Sequence, residues 1–103
     1  MAIVIYRGTT PTFTIETDFN PNACKQLWVT FKQHKVEITK EIKDIDCGPN
    51  TICVKLTQEE TLKFECSKVI DMQIRGVDYD GNAFVTGCEK FEACGILKDG
   101  VIK

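Results

Sequence analysis

The sequence predicts an all-β fold in which about seven short strands pack as an antiparallel sandwich, with residues 1–103 forming a single domain. Apolar and polar residues alternate with period two in several segments, which is typical of strands that bury one face. Turn signals separate these segments at intervals of about ten residues. No long amphipathic helix, internal repeat or linker interrupts the pattern. Together these observations favour an immunoglobulin-like arrangement, although a small open barrel would produce the same pattern.

Four segments show the alternation clearly. Their apolar positions are Phe13 and Ile15; Leu27, Val29 and Phe31; Ile52, Val54 and Leu56; and Ile70, Met72 and Ile74. A further strand with apolar residues Val36, Ile38 and Ile42 is predicted after a hairpin connection at Gln33–Lys35. These five strands supply most of the predicted core.

Turn and cap signals separate the strands. Cys47–Asn50 contains a Gly-Pro pair, which predicts a turn. Thr57 and Glu60 have the spacing of a capping box, so one helical turn is predicted from Thr57 to about Phe64. Asp80-Gly81 predicts a two-residue hairpin turn.

The last predicted strands follow that hairpin. A sixth strand is predicted at Ala83–Val85, and Gly87 and Cys88 are expected to end it or form a bulge. A seventh strand is predicted within Phe91–Leu97, before a closing turn at Lys98–Gly100.

Charge and hydropathy restrict the partners. The net charge is −2, and the 13 basic residues are scattered among 15 acidic ones, which argues against binding nucleic acid through its phosphates. The apolar run Ala2–Tyr6 is too short for a membrane span or a signal-peptide core. We therefore expect no membrane partner and no secretion by a signal peptide, and we expect the protein to stay in the cytoplasm where it is made.

Six cysteines are expected to be free thiols in a reducing cytoplasm, most of them acting as small buried apolar groups. Cys47 and Cys53 are six residues apart, as are Cys88 and Cys94, whereas structural zinc sites use closer pairs. A zinc site would require the two pairs to converge in space. Disulfides are the remaining alternative if the protein reaches an oxidising exterior.

The sequence contains no convincing catalytic or cofactor-binding constellation, and we expect a protein that is not an enzyme and has no cofactor. His34, the only histidine, lies in a predicted hairpin connection and is expected to be an exposed turn residue. Asp78, Asp80, Asn82 and Glu89 have partial spacing for a calcium loop, but Ala83 replaces the glycine that such a loop needs. A plain hairpin is the favoured interpretation, so no metal ligand is predicted.

Trp28 is the one candidate interface residue. It lies on the face of its strand opposite Leu27, Val29 and Phe31. Either a flanking segment of the chain covers it, or it is available to a partner as an aromatic anchor. The sequence leaves these two alternatives open.

Five stretches resemble a group of small proteins encoded in the tail regions of phages and prophages of Gram-positive bacteria. These stretches are Arg7–Thr14, Trp28–Gln33, Leu56–Phe64, Met72–Arg75 and Ile96–Ile102. That group is similar to the amino-terminal domain of phage upper baseplate proteins, a β-sandwich without known enzymatic activity. The cysteine content, especially Cys88 and Cys94, departs from the pattern.

The resemblance implies a structural or adaptor protein of a phage tail or baseplate that acts through protein–protein assembly. The implied partners are other tail or baseplate proteins, with a homo-oligomer as a further option and the virion tail as the final location. The alternative is a small phage-encoded inhibitor that binds a host protein, blocking a defence nuclease.

Overall fold

Two β-sheets of unequal size form the fold in the computed structural model, which describes residues 3–98 and 100–103. The strands are β1 Ile3–Tyr6, β2 Thr12–Glu16, β3 Cys24–Gln33, β4 Val36–Glu41, β5 Asp46–Cys47, β6 Thr51–Lys55, β7 Val69–Asp78, β8 Ala83–Val85 and β9 Glu89–Cys94. Helix α1 spans Gln58–Leu62, and short 3-10 turns span Pro21–Ala23 and Ile42–Asp44. The predicted all-β class is confirmed.

The larger sheet has the strand order β1-β9-β7-β3-β4, and β8 also pairs with β7. One edge of β7 is shared, because β9 pairs with Val69–Met72 and β8 pairs with Arg75–Val77. The smaller sheet has the order β2-β6-β5. All strand pairs are antiparallel except β1 and β9, which are parallel. The expectation of a wholly antiparallel fold is therefore wrong at this edge.

Inward-facing side chains of both sheets form one core. Its most deeply buried large members are Ile5, Leu27, Phe31, Ile52, Leu56, Phe64, Ile70 and Ile74. Phe13 of the smaller sheet contacts two rings of the larger sheet, with ring centroids 5.6 Å from Phe31 and 5.1 Å from Phe91. These contacts show that the sheets pack face to face.

The predicted strands with clear alternation are all present as β2, β3, β6 and β7, and the hairpin at Gln33–Lys35 joins β3 to β4. The fourth strand is shorter than predicted, because Ile42 begins a 3-10 turn and is only half-buried. This turn carries its own capping box between Glu41 and Asp44, which competes with further strand pairing.

Two strands were not predicted. The β1 segment is a continuous apolar run without alternation, and β5 has only two residues, so neither shows a strand periodicity. The last strand, β9, begins and ends earlier than the predicted Phe91–Leu97. The predicted turn at Lys98–Gly100 includes residue 99, which lies outside the described residues.

The Asp78–Asn82 pair closes the hairpin between β7 and β8, so its loop is the three residues 79–81 and not the predicted two-residue turn. The N–H of Gly81 donates to the carbonyl oxygen of Asp78 at 3.2 Å. The N–H of Asp78 donates to the carbonyl oxygen of Asn82 at 3.0 Å. Gly81 adopts φ +88°, as required by a type I turn that is followed by a left-handed residue. The Asp78 carboxylate also accepts from the backbone N–H groups of Asp80 and Asn82 at 2.9 Å, which orders the loop.

The predicted capping box of α1 is confirmed. The Thr57 hydroxyl accepts from Glu60 N at 3.2 Å, and the Glu60 carboxylate accepts from Thr57 N at 2.8 Å. Lys40 of β4 donates to the same carboxylate at 2.8 Å, and both side chains of this ion pair are mostly buried, with 16% and 20% exposure. The helix is thereby fixed against the edge of the larger sheet.

Candidate binding face around Trp28

Trp28 lies on the outer face of the larger sheet, near the start of β3. Its direct cross-strand neighbours are Glu41 of β4 and Arg75 of β7. Leu27 and Val29 on either side of it are fully buried in the core, whereas Trp28 is half-buried. The period-two geometry of the strand therefore places this aromatic side chain outside the core, as the sequence predicted.

A surface concavity of about 500 Å³ surrounds Trp28. We call its lining residues the Trp28 face; they are Trp28, Thr30, Thr39, Arg75, Gly76, Val77 and Ala83. They all come from β3, β4, β7 and β8, so the described residues at the two chain ends contribute nothing to its lining. The described part of the chain therefore leaves this side of Trp28 uncovered by either end.

Short polar and charged side chains border the ring. The hydroxyl oxygens of Thr30 and Thr39 are 3.1 Å apart in a cross-strand hydrogen bond. Arg75 is exposed beside Trp28, and its guanidinium is a planar donor that suits carboxylate partners. An aromatic surface next to an arginine is the composition found at the centre of protein interfaces.

Charged pairs extend across the same outer face. Lys90 of β9 donates to Asp71 of β7 at 2.7 Å. This hydrogen bond, together with the charge of Asp71, raises the pKa of Lys90 above its ordinary value. Lys32 and Glu37 lie opposite one another on β3 and β4. Glu37, Lys32, Asp71 and Lys90 thus form a cross-strand row of alternating charge, four residues along β3 from Trp28, a pattern that can set the orientation of a partner.

The sequence indicated Trp28 but not its neighbours in the Trp28 face. Arg75 and Thr39 lie 47 and 11 positions from Trp28 in the chain, and only the strand register brings them together. The available signal is their outward position in alternating strands, which many other residues share.

His34 is exposed in the two-residue connection between β3 and β4, as expected. Its φ of +51° lies in the left-handed region that is unfavourable for a residue with a side chain. His34 is therefore a residue of the hairpin turn that joins β3 to β4.

The two cysteine pairs do not converge in the structure, as the alternative of a zinc site would require. Cys47 lies opposite the buried Ile52, whereas Cys53 lies opposite Asp46 on the other face of the smaller sheet. Cys88 precedes β9 and Cys94 ends it, which separates them by roughly 20 Å in an extended strand. Within residues 3–98 and 100–103, no group of three or more His, Cys, Asp or Glu residues is arranged to hold a metal.

All six cysteines are free thiols in the structure, but only Cys24 is buried, so the expectation that most of them are buried is wrong. Cys47, Cys53 and Cys94 are half-buried, while Cys66 and Cys88 are exposed. Burial, followed by the nearby charges of Asp78 and Cys47, raises the pKa of Cys24. Burial and then Asp46 raise the pKa of Cys47.

The partial calcium motif is a hairpin, as the favoured interpretation had it. Two oxygens of Asp78 are used within the loop, since the side-chain amide of Asn82 donates to its Oδ2 at 3.3 Å while backbone N–H groups donate to its Oδ1. The hydrogen bond from the Asn82 backbone is the main reason why the pKa of Asp78 is lowered. Glu89, the last acidic position of the motif, begins β9 on the far side of β8 from this loop.

No helix among the described residues combines the length and the apolar character needed to cross a membrane.

Comparisons of the chain with protein-family models, curated proteins and solved structures find no match.

Proposed function

We propose that this protein is a non-catalytic structural or adaptor protein of a phage or prophage tail or baseplate, and that it acts through protein–protein assembly. The tail context comes from the sequence resemblance of Arg7–Thr14, Leu56–Phe64 and Ile96–Ile102 to small tail-region proteins. Its assembly partners are other tail or baseplate proteins.

The proposal includes an immunoglobulin-like arrangement of the two sheets. In that fold, strands B, E and D share one sheet, and strands C, F and G share the other, with an added C′ strand in the variable type. The orders β2-β6-β5 and β9-β7-β3-β4 agree with this arrangement when β2 to β7 are taken as B, C, C′, D, E and F, and β9 as G. The parallel pair of β1 and β9 is added at the edge of the larger sheet.

The half-buried Trp28 ring in the Trp28 face, outside the core, is the observation that carries the assembly function. Large aromatic side chains bury much area with little loss of side-chain freedom, and for this reason they dominate the energetics of protein interfaces. Here the ring is fixed within a sheet and flanked by Arg75 and the Thr30–Thr39 pair. A preformed surface of this kind binds without first having to order a loop.

The test is incorporation of Trp28→Ala into tail particles, measured by immunoblotting of particles purified from cells that express the variant. The variant should fold with a thermal transition close to that of the wild type but lose incorporation at least about tenfold, as expected for an interface anchor. Tyr79→Ala is the matched control, because Tyr79 is 73% exposed in the β7–β8 loop and does not line the Trp28 face.

Two results would contradict the proposal. The first is a wild-type protein that is made early in infection and is absent from purified particles, which is the outcome expected of the nuclease inhibitor. The second is full incorporation of the folded Trp28→Ala variant.

A further inference from the structure

A groove on the open side of the two sheets lies away from the Trp28 face. It runs between β2, at the edge of the smaller sheet, and the β8–β9 region of the larger sheet. Two adjoining cavities of about 330 and 380 Å³ make up this groove, which we call the β2 groove. They share Ile15, Glu16, Met72 and Glu89 as lining residues.

The outer edge of β2 has no strand partner among the described residues, because β2 pairs only with β6. Thr17 N donates to Asn50 O at 2.8 Å, and Pro11 O accepts from Leu56 N at 3.1 Å, so β2 hydrogen-bonds to β6 through its odd-numbered residues. By the same alternation, the N–H and C=O groups of Thr12, Thr14 and Glu16 point away from β6. They form a row of main-chain donors and acceptors that no strand of the described residues pairs with along the β2 groove.

The floor of the groove is apolar. Phe13 and Ile15 point inward from β2 but remain half-buried, since no neighbouring strand covers their outer side. Met72 and Phe91 of the larger sheet are 3% and 4% exposed and lie beneath them. An added extended chain would therefore find hydrogen-bonding groups along β2 and an apolar surface for every second side chain.

The rim of the groove is acidic. Glu16, Asp18 and Glu89 line it, and no lysine or arginine of residues 3–98 and 100–103 lines either cavity. Glu89 lies on the same face of β9 as Phe91, and it is the cross-strand neighbour of Met72. Its carboxylate therefore lies on the core-facing side of the larger sheet, at the opening of the β2 groove. None of these three carboxylates takes part in an ion pair within the described residues.

We propose that the β2 groove binds an extended, basic segment of a partner protein, which pairs with β2 as a fourth strand of the smaller sheet. Strand addition uses main-chain hydrogen bonds for affinity and alternate side-chain pockets for specificity, and both are present here. The unpaired carboxylates select a partner with lysine or arginine at the positions that flank its apolar residues. A second copy of this chain is disfavoured, because two acidic edges would repel one another.

The probe is a pool of blocked 11-residue peptides in which Val, Ile, Leu or Phe alternates with Lys, added to the isotopically labelled full chain. Amide resonances and hydrogen exchange report the site residue by residue. Binding should shift the amide resonances of Thr12, Thr14 and Glu16 and slow their hydrogen exchange. A pool with Glu in place of Lys should cause no such change.

Two variants test the two components of recognition. Thr14→Pro removes one outward-facing N–H of β2, a change that an edge strand tolerates, and should weaken binding about tenfold. Reversal of the rim charges with Glu16→Lys, Asp18→Lys and Glu89→Lys should abolish binding of the lysine pool. The matched control is Glu37→Lys, Glu59→Lys and Glu92→Lys, which changes the net charge equally at exposed positions outside the groove.

Several outcomes would overturn the strand-addition proposal. They are failure of the lysine pool to move the β2 amides, unchanged affinity in the folded Thr14→Pro or rim-reversed variant, and equal weakening by the control. Self-association through β2, detected by sedimentation of the unliganded chain, would overturn the assignment to a partner. The Trp28→Ala incorporation test is independent of all of these, so either proposal can fail alone.

Discussion

The buried side chain of Gln33, at the end of β3, holds the backbone of Glu65 in the connection between α1 and β7. Its amide nitrogen donates to Glu65 O at 2.9 Å, and its amide oxygen accepts from Glu65 N at 2.6 Å. The same nitrogen also donates to Lys68 O at 3.2 Å. One glutamine, 3% exposed, thus satisfies three backbone groups of a connection that includes Ser67 at φ +64°.

Replacing Gln33 by Leu should lower the free energy of unfolding by about 1–3 kcal/mol, because the leucine leaves the backbone groups of Glu65 and Lys68 without these partners. Urea denaturation measures the change. Gln26→Leu is the matched control in the same strand, since Gln26 makes no side-chain hydrogen bond among the described residues. Equal stabilities for the two variants would show that Gln33 does not hold this connection.

The Lys40–Glu60 pair should make stability depend on acid pH. Burial alone would raise the pKa of Glu60, but the hydrogen bonds from Lys40 and the Thr57 backbone outweigh it, so the pKa is lowered on folding. The resulting stabilisation is present in full above the ordinary glutamate pKa of about 4.3 and is lost as the pH falls through the lower pKa of the folded state.

We expect Glu60→Gln to cost about 1 kcal/mol at pH 7, with the difference from the wild type shrinking below pH of about 4. Thermal unfolding at a series of pH values measures this difference. Glu59→Gln, at the exposed neighbouring position in α1, should show no such pH dependence. A difference that is constant from pH 7 to acid would contradict the role of the Glu60 charge.

Gly76 of β7 should not tolerate a side chain. A Cβ at this position would lie 2.6 Å from Cζ of Phe84 and 2.7 Å from Cδ2 of Leu27. Leu27 is fully buried and Phe84 packs edge-on against Phe19, so neither ring nor methyl group moves freely. Gly76→Ala should therefore destabilise the fold by about 1–3 kcal/mol, measured by chemical denaturation.

Gly87→Ala is the control for Gly76→Ala, because a Cβ at Gly87 would meet no atom within 4 Å. Its effect should stay within about 0.5 kcal/mol. Comparable losses in the two variants would mean that the crowding around Phe84 is not what restricts position 76.

Thiol reactivity should follow burial. Cys24 is buried and its pKa is raised, which keeps it a protonated, unreactive thiol, whereas Cys66 and Cys88 are exposed. Iodoacetamide at pH 8 should modify Cys66 and Cys88 at least about tenfold faster than Cys24, as followed by peptide mass spectrometry. Rapid modification of Cys24 in the folded protein would indicate that the start of β3 opens easily.

Local patterns in the sequence predict the strands whose two faces differ and the capped helical turn, because both depend on neighbouring residues. The inward row of Leu27, Val29 and Phe31 is one example, and the Thr57–Glu60 box is another. The parallel pairing of β1 and the shared edge of β7 depend on contacts between distant segments, which alternation does not report. Trp28 could be placed on the outer face from the sequence, but the β2 groove could not, since its existence depends on which strand lies beside β2.

The parallel pair of Ile3–Tyr6 with Glu89–Cys94 has a consequence for biosynthesis. A ribosome makes β1 before β9, so β1 must wait until residues 7–88 have been made before its partner emerges. The centre of the larger sheet is likewise delayed until β7 is made, because β7 joins β3 to β9. We expect the sheet to close only once β9 has been made, at the slow rate typical of folds dominated by contacts between distant segments.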